Sequence, residues 1–269
     1  MNVLGKTAVV TGAANGIGKA LVTELLGDCG RVFALDRDER ALSALKDGLT
    51  SAKLSVFPVD LTDRVRVHAV ASKISADANG EIDLLINCAG IIQPFELFAD
   101  TSVERIEKIM NVNFWGTVHT IQAFLPSLMK RPEAHIVNIS SMGAFFPVPG
   151  QTIYGASKAA VRMLSEGLYA EFLNTNVRVT VVLPGGVNTN IIEHSGSQPN
   201  KKMDKLRTVL PLPSPRKVAR KILSAIRRNT FRVFLGTDSK ILNLANKLFP
   251  APAIRLATRL TSSVLFDKR

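Results

Sequence analysis

Tyr154 and Lys158 stand four residues apart in "TIYGASKAAV", residues 152–161, with only small residues between them. At that spacing both side chains leave the same face of a helix beginning near Ile153. A free tyrosine titrates near about 10 and is a poor base at neutral pH. An ammonium beside it favours the phenolate and lowers that value. Such a pair can exchange a proton with an alcohol or with a carbonyl oxygen. Gly155, Ala156 and Ser157 keep the approach uncrowded. Alone, the pattern is one that chance supplies often, so its meaning depends on the rest of the chain.

A second stretch with chemical content is "VVTGAANGIG", residues 9–18. Gly12 allows a sharp turn out of a strand. Gly16 and Gly18 let backbone approach a ligand and let a helix pack on a sheet. N–H groups at a helix start, around Asn15, Gly16 and Ile17, attract a pyrophosphate. Glycines also mark plain turns, but this loop lies at the first strand–helix junction, where a dinucleotide binds. Asp36 ends the next strand, 18 residues after Gly18. A carboxylate there accepts hydrogen bonds from an adenosine ribose and repels a 2′-phosphate, which favours NAD. Arg37 follows directly and could serve a 2′-phosphate, so NADP stays open. Asn15, rather than a basic residue, leans back toward NAD.

These residues need elements to position them. "KTAVVTG" (6–12), "RVFALD" (31–36), "KLSVFPVD" (53–60), "IDLLINCAG" (82–90), "HIVNIS" (135–140), "VRVTVVLPG" (177–185) and "FRVFLG" (231–236) read as strands. Helical periods fall between them, near 17–26, 38–47, 63–76, 102–130, 153–174 and 215–228. Continuous apolar strands alternating with amphipathic helices predict a parallel sheet of about seven strands covered on both faces. That is the Rossmann-type, doubly wound α/β class. No repeat or linker divides the chain, so residues 1–269 read as one domain, a core of 1–236 and a tail of 237–269. In the tail, Ile241, Leu244, Ala245 and Leu248 line one helical face, and Ala253, Leu256, Ala257 and Leu260 another. Pro250 and Pro252 separate them, and Lys247, Arg255 and Arg259 interrupt the apolar character, so neither helix spans a bilayer. Residues 188–213 break the rhythm as a long polar segment ending in prolines, which suggests a lid.

Two cysteines, Cys29 and Cys88, lack metal-ligand spacing, so no zinc site or disulfide framework is expected, and a reducing, cytoplasmic setting is the natural reading. The N-terminus reads as a first strand, not a leader. The net charge of +12 is uneven: residues 1–199 carry 17 Lys+Arg against 19 Asp+Glu, and residues 200–269 carry 17 against 3. The basic end suggests either an anionic partner or a solvated face.

"TGAANGIG", "NCAG" (87–90), "NISS" (138–141), "YGASK" (154–158) and "LPGGVNT" (183–189) follow one another in an order and spacing that resemble the short-chain dehydrogenase/reductase family, to about residue 236. The resemblance implies nicotinamide-dependent oxidoreduction by an Asn-Ser-Tyr-Lys set. Tyr154 would be the acid/base. Lys158 would bind the nicotinamide ribose and lower the tyrosine pKa. Ser141 would hold the substrate oxygen, with Ser140 the runner-up. Asn113 would support a proton-relay water, with Asn111 the runner-up. Asp60 and Leu61 would meet the adenine. Asn87, Ala89 and Gly90 would line the adenosine-side cleft, and Pro184, Gly185, Val187 and Thr189 the nicotinamide end. Cys88 departs from the family's usual asparagine and cannot replace an amide's hydrogen bonds, which predicts a looser turn. A homodimer or homotetramer is also implied.

For substrate, Gln93, Phe95, Met142, Phe145 and Phe146 are the candidates, with core packing or dimer contact as the competing role. An apolar mouth, a long lid and a basic amphipathic tail point to NAD-dependent turnover of a lipophilic secondary alcohol of steroid, retinoid or fatty-acyl type, hence to lipid metabolism. The alternatives are an NADP-dependent carbonyl or 3-oxoacyl-chain reductase and a non-catalytic nucleotide-binding regulator. The tail could lie on an anionic membrane surface or pack on its own domain. No nucleic-acid-binding motif is present.

Overall fold

Apolar residues alternate between the two faces of every inner strand, and that alternation dictates the layers. Ala8 and Val10 of β1 (Thr7–Thr11), Val32 and Ala34 of β2 (Arg31–Asp36), and Leu84 and Ile86 of β4 (Leu84–Asn87) point into one core. Val9, Phe33, Leu35 and Leu85 point into the other. Strands buried on both sides must be apolar at successive positions, as these are. The computed structural model describes residues 1–188 and 212–265.

Seven parallel strands lie in the order β3-β2-β1-β4-β5-β6-β7, with β3 at Leu54–Pro58, β5 at Ala134–Ile139, β6 at Val177–Pro184 and β7 at Arg232–Leu235. The first core is closed by α1 (Gly16–Leu25), α2 (Glu39–Leu49) and α7 (Pro215–Arg227). The second is closed by α3 (Arg64–Asp77) and α5 (Gly116–Met129), with α6 (Thr152–Glu171) packed beside them. This is the Rossmann-type architecture expected. The chain reverses direction across the sheet between β1 and β4. A crevice opens there at the carboxyl ends of the strands, the usual place for a ligand in an open α/β sheet.

Three boundaries differ from the expectation for physical reasons. The fourth strand stops at Asn87, not residue 90, because the Cys88 and Ala89 N–H groups turn to the Thr11 hydroxyl at 3.1 and 3.2 Å. The helical run expected over 102–130 is three pieces: α4 (Val103–Met110), one π-helical turn (Asn111–Trp115) and α5. In the tail, α8 (Thr237–Leu248) and α9 (Pro250–Leu265) meet at Phe249. Pro250 and Pro252 thus fall in the first turn of α9, where a missing N–H costs nothing. Residues 189–211, most of the proposed lid and Thr189 with it, lie outside the described residues. Among the described residues no helix is long and apolar enough to cross a membrane.

Candidate active site

The four residues singled out for catalysis converge at the carboxyl ends of β4 and β5. Each is held by a different device. Asn113 sits in the π turn, a distortion often found at functional sites. It is 0 % exposed, whereas Asn111 is exposed, so the choice between them falls to Asn113. Its amide uses three bonds: Oδ1 accepts from the Ile91 N–H at 2.8 Å, and Nδ2 donates to the Ile91 carbonyl and to the Ser157 hydroxyl, both at 2.9 Å. Ser157 in turn donates to the Tyr154 carbonyl at 2.7 Å. The π turn is thereby tied to the first turn of α6.

The two serines have separate tasks. Ser140 is 3 % exposed, and its hydroxyl donates to the Lys158 carbonyl at 2.7 Å. Ser141 lies past the strand end and accepts from the Gly143 N–H at 3.1 Å, and a Cβ on Gly143 would meet both its Oγ, at 3.5 Å, and the Tyr154 ring, at 3.6 Å. Ser141 is therefore the serine on the tyrosine side.

Desolvation pushes the Tyr154 phenol above its ordinary range, and the Ser141 hydrogen bond pulls the other way. The lysine is not among the groups acting on it, contrary to the expectation from the spacing. Lys158 Nζ donates to the Ile139 carbonyl at 3.0 Å. Burial brings Lys158 down to about 8, opposed by the neighbouring Cys88. An i, i+4 spacing puts two groups on one face without making their end atoms meet.

The glycines form a cradle. A Cβ on Gly18 would lie 2.0 Å from the Gly12 carbonyl oxygen, and one on Gly12 2.7 Å from the Ala89 backbone. Gly12 also has φ +64. A Cβ on Gly90 would stand 3.0 Å from Lys158 Nζ and 3.2 Å from Asn113 Oδ1, so bare backbone lies beside both polar groups. Asn15 precedes α1 and makes no capping bond, leaving the helix's first N–H groups without a side-chain partner. Ile17 packs against the first core. Asp36 is oriented by two bonds: Oδ2 accepts from the Ala14 N–H and Oδ1 from the Asp38 N–H, each at 3.1 Å. Arg37 is exposed next to it. A cavity lined by Asn15, Gly16, Lys19, Asn188, Ser214 and Arg216 continues this cleft between the starts of α1 and α7. Bare glycine backbone, N–H donors and basic groups fit a dinucleotide diphosphate.

Several other candidates turn out to work differently. Asn87 is 3 % exposed, and its amide is spent on Asn138 (2.8 Å) and Thr120 (2.7 Å), leaving only its backbone for the cleft. Leu61 packs in the second core, against the bare face of Gly116. Asp60 accepts from the Thr62 N–H and hydroxyl at 2.9 and 2.8 Å, capping its own turn. Cys88 is half-buried, desolvation pushes its thiol up to about 12, and Thr11 grips the backbone there. Pro184 ends β6, paired with Leu235, and Gly185 and Val187 follow on the cleft side of the first core.

Two substrate candidates are corrected. Gln93 is 1 % exposed; its Oε1 accepts from the Tyr154 N–H at 2.8 Å and caps α6, whose own N-cap residue Gln151 makes no capping bond. Phe146 is 3 % exposed and belongs to the interior. Phe145 sets its ring edge-on to Phe234 at 5.7 Å, while Phe95 and Met142 are half-buried. Sequence reasoning missed Thr11, Ser157 and Gln93 as positioning groups. Ser157 lay in view between Tyr154 and Lys158, but only as a small residue.

Comparison with known proteins agrees with this fold. The family model described as short chain dehydrogenase matches residues 6–200. An uncharacterized oxidoreductase of Staphylococcus aureus strain MW2 is 35% identical over 199 residues, 74% of this chain and 85% of that one. The crystal structure of a short-chain dehydrogenase/reductase from Burkholderia phymatum in complex with NAD superposes with a TM-score of 0.82 at 26% identity, covering 95% of this chain and 96% of that one. A short-chain dehydrogenase from Burkholderia cenocepacia J2315 in complex with NADP has a TM-score of 0.78 at 27% identity, covering 99% and 100%.

Proposed function

The chain belongs to the short-chain dehydrogenase/reductase family of oxidoreductases, and from that premise we propose that it interconverts a lipophilic secondary alcohol and its carbonyl with NAD. The observation that carries the reading is the convergence of Asn113, Ser141, Tyr154 and Lys158 beside a glycine cradle that fits a dinucleotide. The nicotinamide, when bound, supplies the hydride acceptor or donor. Tyr154 takes the hydroxyl proton in the oxidative direction and returns it to the carbonyl oxygen in the reverse. Desolvation raises its phenol, which favours the protonated form. Ser141 holds the substrate oxygen beside it. Lys158 offers an ammonium above Gly90, where a ribose can replace the Ile139 carbonyl as its partner. Asn113 stays fixed through Ile91 and Ser157 and presents Oδ1 to the same space.

Asp36 supports NAD, because its carboxylate is held at the end of β2 where a 2′-phosphate would stand. The exposed Arg37 supports NADP as the second reading, and one structural neighbour binds it. The half-buried Phe95, Met142 and Phe145 support an apolar substrate. The exposed Ile241, Leu244, Leu248, Phe249 and Leu256, with Lys240, Lys247 and Arg255 among them, support contact of the tail with an anionic membrane surface. Flotation with anionic vesicles tests this, and equal flotation after removal of residues 238–269 refutes it.

The central test is turnover of a panel of secondary alcohols and their ketones with NAD and NADP, in wild type and Tyr154→Phe. The variant should lose turnover and keep cofactor affinity. Retained turnover would remove Tyr154 from its role, and no wild-type turnover on any alcohol or ketone would refute the oxidoreductase reading.

A further inference from the structure

We infer that Asp238, in the first turn of α8, is a positioning residue that latches the loop after β6 and so places the nicotinamide end of the cofactor. The inference rests on the proposed function for what the loop holds, but the latch itself is read from geometry. Two glycines lack side chains where this one carboxylate sits. A Cβ on Gly185 would lie 2.2 Å from both Asp238 oxygens, and one on Gly236 2.1 Å from Oδ1. A Cβ on Gly186 would meet Leu212 at 2.7 Å and the carboxylate only at an ordinary 3.8 Å, so that residue's part is its N–H. The carboxylate thus occupies a slot that exists only because Gly185 and Gly236 are bare. Gly236 also has φ +101, a conformation that favours glycine in its own right.

Within the slot, Oδ2 accepts a hydrogen bond from the Gly186 N–H at 2.8 Å. The bond forms where the sheet ends: β6 and β7 pair as far as Pro184 and Leu235, and the Gly185 N–H still reaches the Leu235 carbonyl at 2.7 Å. Gly186 is the next residue, and its N–H goes to the carboxylate instead of a strand. The charge lies at a helix start, which favours an anion. Two further bonds fix α8 against the site. The Ser239 hydroxyl, fully buried, donates to the Leu183 carbonyl at 2.8 Å, and Asn246 Nδ2 donates to the Phe145 carbonyl at 2.8 Å. The C-terminal helix is therefore joined to the loop expected to hold the nicotinamide and to the segment that follows Ser141.

The test compares wild type, Asp238→Ala and Asp238→Asn by calorimetric titration with NAD and with ADP-ribose, which lacks the nicotinamide. Asp238→Ala should weaken NAD about tenfold, the effect of one lost charge-assisted bond, and leave ADP-ribose within about twofold. Asp238→Asn keeps an acceptor for Gly186 and should recover most of the affinity. In the cofactor-free protein, the Gly186 amide should exchange its hydrogen faster in Asp238→Ala and at the wild-type rate in Asp238→Asn. Equal weakening of both ligands, no weakening of NAD, or no rescue by asparagine overturns the role toward nicotinamide. Unchanged Gly186 exchange overturns the latch itself. Wild-type protein that binds neither NAD nor NADP would instead refute the proposed function, with the exchange measurement still deciding the latch.

Discussion

Gln93→Met separates the positioning of Tyr154 from the stability of the fold. Methionine matches glutamine in length and, like it, is unbranched at Cβ and Cγ, so the volume is roughly kept. What disappears is the acceptor for the Tyr154 N–H, a bond of 2.8 Å in the first turn of α6. A buried N–H left without a partner costs about 1–3 kcal/mol. The same substitution removes Gln93 Nε2, a buried donor that has no partner now. One orphan replaces another, and the net stability loss should be about 1 kcal/mol or less. The bond from Gln151 Nε2 to the Gln93 carbonyl at 2.8 Å is to backbone and survives. Catalysis has no such offset. The first turn of α6 loses its cap at the tyrosine itself, and a displacement of about 1 Å in a reacting group can cost about 100-fold in rate. Urea unfolding should show a small change, while kcat falls by about 10- to 100-fold. A kcat within twofold of wild type would refute the cap's role in placing the phenol. A stability loss above about 3 kcal/mol would show that the orphan exchange was reckoned wrongly.

Gly18→Ala forces a carbon to within 2.0 Å of the Gly12 carbonyl oxygen, so α1 must move off the loop. Overpacking against backbone should cost about 2–3 kcal/mol and reduce dinucleotide affinity; native unfolding and binding would count against the cradle. Asp36→Ala should relax discrimination between NAD and NADP, measured as a ratio of affinities. An unchanged ratio would show that the carboxylate does not set it. His135 is fully buried, its Nε2 paired with the Thr180 hydroxyl at 2.7 Å, and burial lowers it from 6.5 to about 3. The unfolded chain binds the proton more readily in that window, so the contribution is complete above pH 6.5 and lost as pH falls toward 3, at up to about 1.4 kcal/mol per pH unit. His135→Leu should flatten the acid limb of a stability-versus-pH curve; an equally steep limb would point to the carboxylates alone.

The architecture was legible because its causes are local. Successive apolar residues such as Val9, Val10, Phe33 and Ala34 announce strands covered on both faces, and glycines placed between β1 and α1 announce the turn. Asn113, Ser141, Tyr154 and Lys158 were legible as a set by order and spacing. Motif and spacing preferred Asn113 to Asn111 and Ser141 to Ser140; what spacing does not contain is that Asn111 is exposed and that the Ser140 hydroxyl is spent on the Lys158 carbonyl. Gln93 was misread because an amide near an apolar loop looks the same whether it faces a substrate or caps a helix 61 residues away.

The positioning groups share a property that explains their silence in the sequence. Thr11 reaches Cys88 across 77 residues, Asn113 reaches Ser157 across 44, and Asp238 reaches Gly186 across 52. Each works through one to three hydrogen bonds to chain segments brought alongside by the parallel sheet. A parallel sheet places consecutive strands' carboxyl ends together only after long crossovers. Residues that build one site are therefore scattered over the chain, and their partners are fixed by topology, not by spacing. The same topology brings the end of β7 next to the end of β6, so a helix continuing from β7 begins beside the loop after Pro184. A carboxylate in its first turn, at Asp238, is then within reach of Gly186 without any further design of the fold. On this reasoning the tail is an element of the active-site wall and not an appendage, and the adenosine half of the cleft, built from β1, β2 and α1, should be indifferent to it.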